Sequence, residues 1–440
     1  MTGAKRPPSP SARISPPPVK RKAQSSSTTS QAAVSAFFTP ASQKKPEKVT
    51  WRTVKNSLLV GKYSSDQTNN LGDGLKRRVA AFDLDSTLIS TASKNTFARN
   101  ADDWKWWHAK VPGRVKELNS EGYQVILISN QKKVALQTAL KNGKGDSKSL
   151  STFKEKTTNI MRQLDIPLSI YAATQYDEFR KPRPGMWKEM LDEYDLDVEG
   201  RLDLPGSFFV GDAAGRPGDH SCTDRDFAAN IGITFKTPEE FFLDKTAPAF
   251  EREFDPTSYI QDTPPDANGN DLLSFVRPAA EFSKLNPQDL VIFCGSPGSG
   301  KSTYYWKYLE PLKYERVNQD TLKSVNNTNA SIETRSIWTE LAKEFKIPIR
   351  CIYFTASQKL CKHNDAVRAS NPKMNPESRT PLPGIAFADF GKRFQEPKVE
   401  EGFQDVVRVD FRFQGSSGNG DDGESGGEEE KKRMWSQFYV

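Results

Sequence analysis

The sequence predicts an α/β protein of two domains, each a mainly parallel sheet flanked by helices, behind a tail that builds no core. Three observations carry this. Short apolar runs alternate with amphipathic stretches, and the alternation restarts at a glycine-rich loop past residue 285. The length of 440 residues exceeds one ordinary core and suits two, at about 150 residues each.

Residues 1–49 are dominated by Ser, Pro, Thr, Ala and Lys, a composition with too little apolar surface to offset chain entropy, so a disordered tail is expected. It holds a basic cluster, Pro18-Val19-Lys20-Arg21-Lys22, of the kind nuclear import receptors read, which predicts a nuclear protein. It also holds Gln31, Val34, Phe37 and Phe38 at the spacing of a sliding-clamp-binding peptide, where a helical turn aims an aliphatic and two rings into one pocket. Two stray phenylalanines in a tail are the plain alternative.

From 50 to 245, strand-like runs at Arg78 to Phe82, Gln124 to Ile128, Leu168 to Ala172 and Ser207 to Val210 predict the first domain. Residues 246–285 are rich in Pro and Asp and read as a linker. The second domain, 286–440, opens with Leu290-Val291-Ile292-Phe293-Cys294, continues through Ile349 to Phe354, and carries a low-complexity insert at 415–430. With 63 Lys+Arg against 56 Asp+Glu the net charge is +7, which suits a polyanionic substrate without demanding one. Four cysteines without a C-x-x-C pair indicate neither a disulfide framework nor a cysteine-ligated zinc. No run of about 18 apolar residues occurs, so a soluble intracellular protein, expected to be a monomer, is predicted.

The first candidate centre follows Val79-Ala80-Ala81-Phe82. Asp83 and Asp85, in Asp83-Leu84-Asp85-Ser86-Thr87, project from the carboxyl end of a buried strand, where open α/β sheets place ligands. Carboxylates so close repel, and a divalent cation is the simplest way to keep one ionised beside a phosphate. Phe208-Phe209-Val210-Gly211-Asp212 ends another apolar run on an acid, Val125 to Asn130 ends on the hydroxyl of Ser129, and Arg180-Lys181-Pro182 offers a cation. Asp224 and Asp226 follow, each open between the site and a surface carboxylate.

The D-x-D-x-T set with its strand-end Ser, Lys-Pro and Gly-Asp resembles the haloacid-dehalogenase phosphatase superfamily, which implies a Rossmann-like sheet. The resemblance implies that Asp83 attacks phosphorus to form an aspartyl-phosphate, and that Asp85 protonates the leaving alkoxide and then activates water. It assigns Ser129 and Lys181 to the phosphoryl oxygens. Asp83, the backbone carbonyl of Asp85, and Asp212 become ligands of magnesium.

The second centre is Gly295-Ser296-Pro297-Gly298-Ser299-Gly300-Lys301-Ser302-Thr303, which fits G-x-x-x-x-G-K-[ST] directly after a strand of five apolar residues. Glycine lets the loop turn its amides toward phosphates, Lys301 reaches the β- and γ-oxygens, and Ser302 meets magnesium, which predicts ATP binding. Asp320, in Asn318-Gln319-Asp320, is the candidate base for an acceptor hydroxyl. Arg335 and Arg368 are candidates for steadying the transferring phosphoryl charge.

A phosphatase of this kind followed by a phosphate-loop kinase resembles the polynucleotide kinase 3′-phosphatase family over roughly Trp51 to Val440. Gly211-Asp212-Ala213-Ala214-Gly215-Arg216-Pro217, Thr237-Pro238-Glu239-Glu240-Phe241-Phe242 and Asn318-Gln319-Asp320-Thr321-Leu322 carry the likeness. It implies a magnesium- and ATP-dependent enzyme that removes 3′-phosphates and phosphorylates 5′-hydroxyls at DNA nicks, gaps and double-strand breaks. Backbone contacts from Lys and Arg would supply affinity, and Trp104, Trp106 and Trp107 could stack on frayed bases. One departure stands out. The family separates the Asp-Thr-Leu and Asn-Thr-Asn segments by a helix and a strand, together about twenty residues, whereas here Ser324 meets Val325 between them and Asn326 replaces the expected acid. The sequence is read as a misassigned splice junction in preference to a natural deletion. A 3′-phosphatase with a degenerate, scaffolding kinase half and an RNA-end healing enzyme stay open as alternatives.

Overall fold

The computed structural model describes residues 48–65, 76–96, 98–140, 143–247, 249–250, 252, 254–260, 282–317, 328–371, 374–375, 379–413 and 426–439. The basic cluster, the clamp-like peptide, most of the linker, Asp320, the Ser324–Val325 junction and residues 415–425 of the insert lie outside the described residues.

Strands β1 (Val49–Val54), β2 (Leu58–Tyr63), β3 (Val79–Phe82), β4 (Gln124–Asn130), β5 (Leu168–Ala173), β6 (Phe208–Val210) and β7 (Thr234–Lys236) form one seven-stranded sheet in the order β1-β2-β5-β4-β3-β6-β7. β1, β2 and β5 pair antiparallel. From β5 to β7 every pairing is parallel. The apolar run of β4 is continuous because both its faces are covered: Val125 and Leu127 enter one core, Ile126 and Ile128 the other. The strand order reverses its direction of growth between β3 and β6, which opens a crevice at their carboxyl ends.

Helices α1 (Val111–Ser120), α2 (Lys148–Leu164), α3 (Gly185–Glu193), α4 (Thr223–Ile231) and α5 (Pro238–Leu243) cover this sheet. Their ends are written in the sequence. Ser147 accepts the Leu150 N–H to start α2, and Thr237 and Glu240 form a reciprocal capping box at α5. Leu150, Phe153, Ile160, Met161 and Leu164 recur at helical spacing and bury one face of α2.

A second sheet is built from β8 (Leu290–Cys294), β9 (Ile349–Phe354) and β10 (Val406–Val409), all parallel, with β9 central. Helices α6 (Ile332–Glu344) and α7 (Gln358–Ser370) flank it. Among the described residues β8 has a strand on one side only. At its other edge the Asn329 side-chain amide donates to the Phe293 carbonyl at 3.0 Å, and Gly295 N–H donates to Thr328 at 3.2 Å. Among the described residues no helix is long and apolar enough to cross a membrane.

His363 on α7 is fully buried against the rings of Phe254, Trp435 and Tyr439, with Nε2 hydrogen-bonded to the Trp435 carbonyl at 2.8 Å. Burial lowers its pKa to about 4, while the bond to Trp435 only partly opposes this. The folded state therefore prefers neutral histidine. Its contribution is complete above the unfolded value near 6.5 and is lost as pH falls through the interval down to about 4. That loss totals about 3 kcal/mol. Urea unfolding at pH 7 and pH 4.5 should show the loss in the wild type, and a shallower pH slope in His363→Phe.

Candidate active sites

The carboxyl ends of β3 and β6 bring the first set together. Asp83 follows β3 directly, Asp212 lies just past β6, and Asp224 opens the first turn of α4. One carboxylate oxygen from each lies within 4.8 Å of the others. Gly211 is required for this approach, because a Cβ there would stand 2.3 Å from Asp224 Oδ2. Asp224 also accepts the Ala213 N–H at 3.0 Å, which fixes the turn that presents Asp212.

A buried lysine answers these charges. Lys181 Nζ lies 2.6 Å from Asp83 Oδ1 and 2.8 Å from Asp224 Oδ1, and donates to the Ile128 carbonyl at 2.9 Å. Burial alone would lower its pKa, but Asp224 and Asp83 outweigh that and hold it above the ordinary lysine value. Burial raises the Asp83 carboxyl well above its usual range against the pull of Lys181. Asp212 is pushed up to about 6, first by burial and then by Asp224. Two buried acids and the half-buried Asp212 crowd more carboxyl groups around one lysine than it can balance, which is the electrostatic demand of a cation site.

Asp85 stands apart from that trio. Its side chain is 50% exposed and is held by Lys156 Nζ at 3.1 Å and Gln131 Nε2 at 2.6 Å. The same Gln131 amide donates to Ser129 Oγ at 2.9 Å, so Ser129 and Asp85 share one organiser. The third carboxylate of the cluster is therefore Asp224, 2% exposed, and the Asp85 side chain lies outside it. Asp226 is a structural acid that pairs with Arg252 and accepts from Cys222. Lys156 and Gln131 escaped the sequence reading. The signal was present: Lys156 interrupts the apolar stripe of α2 and is 7% exposed. The three tryptophans are partly buried and pack on the first core. Trp104 meets Trp106 edge to face at 5.3 Å and Trp107 lies against Phe242, so core packing occupies them in place of the stacking role.

The second set sits on the loop after β8. Gly298 and Gly300 take φ of +77° and +94°, and a Cβ on Gly298 would stand 2.2 Å from the Cys361 carbonyl. Lys301 Nζ folds back onto the carbonyls of Gly295 and Ser296 at 2.8 and 2.7 Å, and burial lowers its pKa to about 8. The Ser299 hydroxyl is buried with no hydrogen-bond partner among the described residues. Left-handed glycines, a desolvated lysine and an orphaned hydroxyl fit a phosphate-bearing ligand. Ser302 Oγ accepts from Arg316 at 2.9 Å, and Thr303 is exposed. Asn364 on α7 donates to the Gly298 carbonyl at 3.0 Å, which pins the loop to that helix. Arg368, one turn further along α7, is tied to Asp365 at 2.5 Å.

A family model described as "Polynucleotide kinase 3 phosphatase" matches residues 78–242, and one described as "AAA domain" matches residues 290–325 and 324–397. The bifunctional polynucleotide phosphatase/kinase of Schizosaccharomyces pombe is 38% identical over 395 residues, spanning 84% of this chain and 86% of that protein. The chain belongs to the bifunctional polynucleotide phosphatase/kinase family. Within it, shorter similarities isolate the first half. The polynucleotide 3′-phosphatase ZDP of Arabidopsis thaliana is 31% identical over 39% of this chain and 25% of its own length. The polynucleotide 3′-phosphatase of Saccharomyces cerevisiae is 27% identical over 37% of this chain and 87% of its own length. The second-half match breaks at 324–325, the position where the family's two segments run together in this sequence.

Arg335 requires a correction. Its guanidinium is 0% exposed, makes two bonds of 2.7 Å to Glu401, and donates to the carbonyls of Asn329, Ala330 and Gln395. It braces α6 against the turn at Val399–Glu401 and has no open face for a phosphate. Arg335→Met strands Glu401, so chemical denaturation should show a loss of about 3 to 5 kcal/mol.

Proposed function

We propose that residues 50–245 form the phosphatase domain and residues 286–440 the kinase domain of a nucleic-acid end-healing enzyme. The chain removes phosphate from 3′ termini and phosphorylates 5′-hydroxyl termini. The observation that carries the phosphatase reading is the Asp83, Asp212 and Asp224 cluster gathered around buried Lys181 at the strand-order reversal.

Asp83 attacks phosphorus in line with the scissile ester bond, which breaks as the aspartyl-phosphate forms. Asp85, exposed and oriented by Lys156 and Gln131, gives its proton to the departing 3′ oxygen and then takes one from the water that releases phosphate. Ser129 and Lys181, both buried, hold phosphoryl oxygens, Lys181 supplying positive charge that solvent screens little. Magnesium at Asp83, Asp212 and Asp224 would neutralise the charge that those acids leave in excess. In the kinase half Gly295 to Thr303 would cradle the phosphates of ATP with Lys301, now on its loop carbonyls, as their cation, Ser302 would be the residue that holds magnesium, and Asp320 is the base for the 5′-hydroxyl. Arg368 lies on the helix that pins the loop and steadies the transferring group.

DNA nicks, gaps and double-strand breaks are the proposed substrates, the nucleus the proposed compartment, and the sliding clamp a partner through Gln31, Val34, Phe37 and Phe38. A phosphatase with a weakened kinase half is the second reading, favoured by the interrupted match at 324–325 and by the one-sided pairing of β8 among the described residues.

A nicked duplex with 3′-phosphate and 5′-hydroxyl tests these assignments. Asp83→Asn should lower 3′-phosphate removal by about 10³-fold or more, and unchanged removal refutes the nucleophile. Lys301→Ala should abolish ATP-dependent 5′ labelling and spare 3′-phosphate removal; absent labelling by the wild type itself selects the second reading. Chelation of divalent cations should stop 3′-phosphate removal, with magnesium restoring it. Substituting ribo- for deoxyribo-oligonucleotides separates DNA from RNA healing.

A further inference from the structure

Two asparagines grip the loop that carries Lys181. Asn130, at the end of β4, accepts the Lys181 N–H at 2.9 Å and donates to the Lys181 carbonyl at 3.1 Å. From the opposite side Asn230, in the last turn of α4, donates from Nδ2 to the Pro182 carbonyl at 2.8 Å. Asn130 is fixed by its strand. Asn230 is fixed by main chain from residue 438: its Nδ2 also donates to the Phe438 carbonyl and its Oδ1 accepts the Phe438 N–H, each at 2.6 Å.

Phe438 is itself anchored on both halves of the molecule. The Arg252 guanidinium, paired with Asp226 on α4, lies 3.8 Å from its ring centre. Its neighbours Trp435 and Tyr439 are 2% and 5% exposed. Trp435 donates to Asn364 Oδ1 at 3.0 Å and accepts from His363, both on α7 of the kinase half. Tyr439 lies under the guanidinium of buried Arg183, two residues past Lys181.

We infer that residues 435–439 are a positioning element for the phosphatase: the Phe438 backbone orients Asn230, which fixes the Pro182 carbonyl and sets Lys181 Nζ against Asp83. This rests on the reading of Asp83 and Lys181 as phosphatase residues. Asn230 reaches the reaction only through the lysine loop, so it is a positioning residue. A displacement of the order of 1 Å at such a group is enough to slow chemistry without weakening substrate binding. The first half of the chain therefore depends for full activity on a segment that folds with the second half.

The test compares wild type, Asn230→Ala, Phe438→Pro, which lacks the donor N–H, and the double variant, all in the full chain. Substrate is a 3′-phosphorylated nicked duplex with magnesium, and unfolding midpoints are measured in parallel. Each single change should lower kcat about tenfold with KM unchanged. The double variant should be no slower than the slower single, and amide exchange at residues 180–186 should rise in all three. Wild-type kcat in Asn230→Ala, effects that multiply in the double variant, or a loss of activity that follows unfolding alone overturns the inference. Should Phe438→Pro fail to fold, Asn230→Ala and the isosteric Asn230→Asp decide. A wild type that removes no 3′-phosphate refutes the functional reading instead, and exchange at 180–186 then decides the positioning.

Discussion

Charge balance around Lys181 is the constraint on which the first half of the molecule depends. Three carboxylates converge at the carboxyl ends of two paired strands, and a single buried ammonium holds two of them at hydrogen-bond distance. Removing that cation would leave acids in a medium that cannot solvate them, which costs several kcal/mol for each uncompensated charge. The surrounding architecture serves this arrangement. β3 and β6 deliver Asp83 and Asp212, α4 delivers Asp224, and Gly211 yields the space that the third acid occupies.

The kinase half solves a related problem with opposite sign. Backbone carbonyls hold Lys301 in a partly buried loop, and the loop exists because Gly298, against α7, and Gly300, against Phe411, accept left-handed conformations. In both halves a lysine is desolvated beside a strand end, where its charge is least screened. The difference is that carboxylates hold Lys181 above its ordinary pKa, whereas burial takes Lys301, held by carbonyl oxygens, below it.

Residues whose role follows from strand ends were legible in the sequence, since a buried run that stops on Asp83, Ser129, Asp212 or a glycine loop already states where the side chain points. Residues on helices were less so. Asp224 and Asp226 share the first turn of α4, and a two-residue step turns a helix by more than half a revolution, so tertiary packing alone decides which acid joins the site. Arg335 looks like one more helix arginine until Glu401, distant in sequence, folds onto it. Asn230 has no local signature at all, because its partners are residues 182 and 438. The expectation of an interrupted kinase half came from a missing pattern, and the divided family match falls at the same place.

The four cysteines have a practical consequence. Each thiol is unpaired, and Cys294 and Cys361, which adjoin the phosphate loop, and Cys351, within the sheet core, are fully buried. Burial pushes Cys294 and Cys361 up to about 11, raises Cys351 further, and carries partly exposed Cys222 to about 12. Thiolate is the form that alkylates and oxidises, so at neutral pH the native sulfurs are poor nucleophiles. Fluorophores could be coupled to a newly introduced surface cysteine for single-molecule work without first replacing the natural ones.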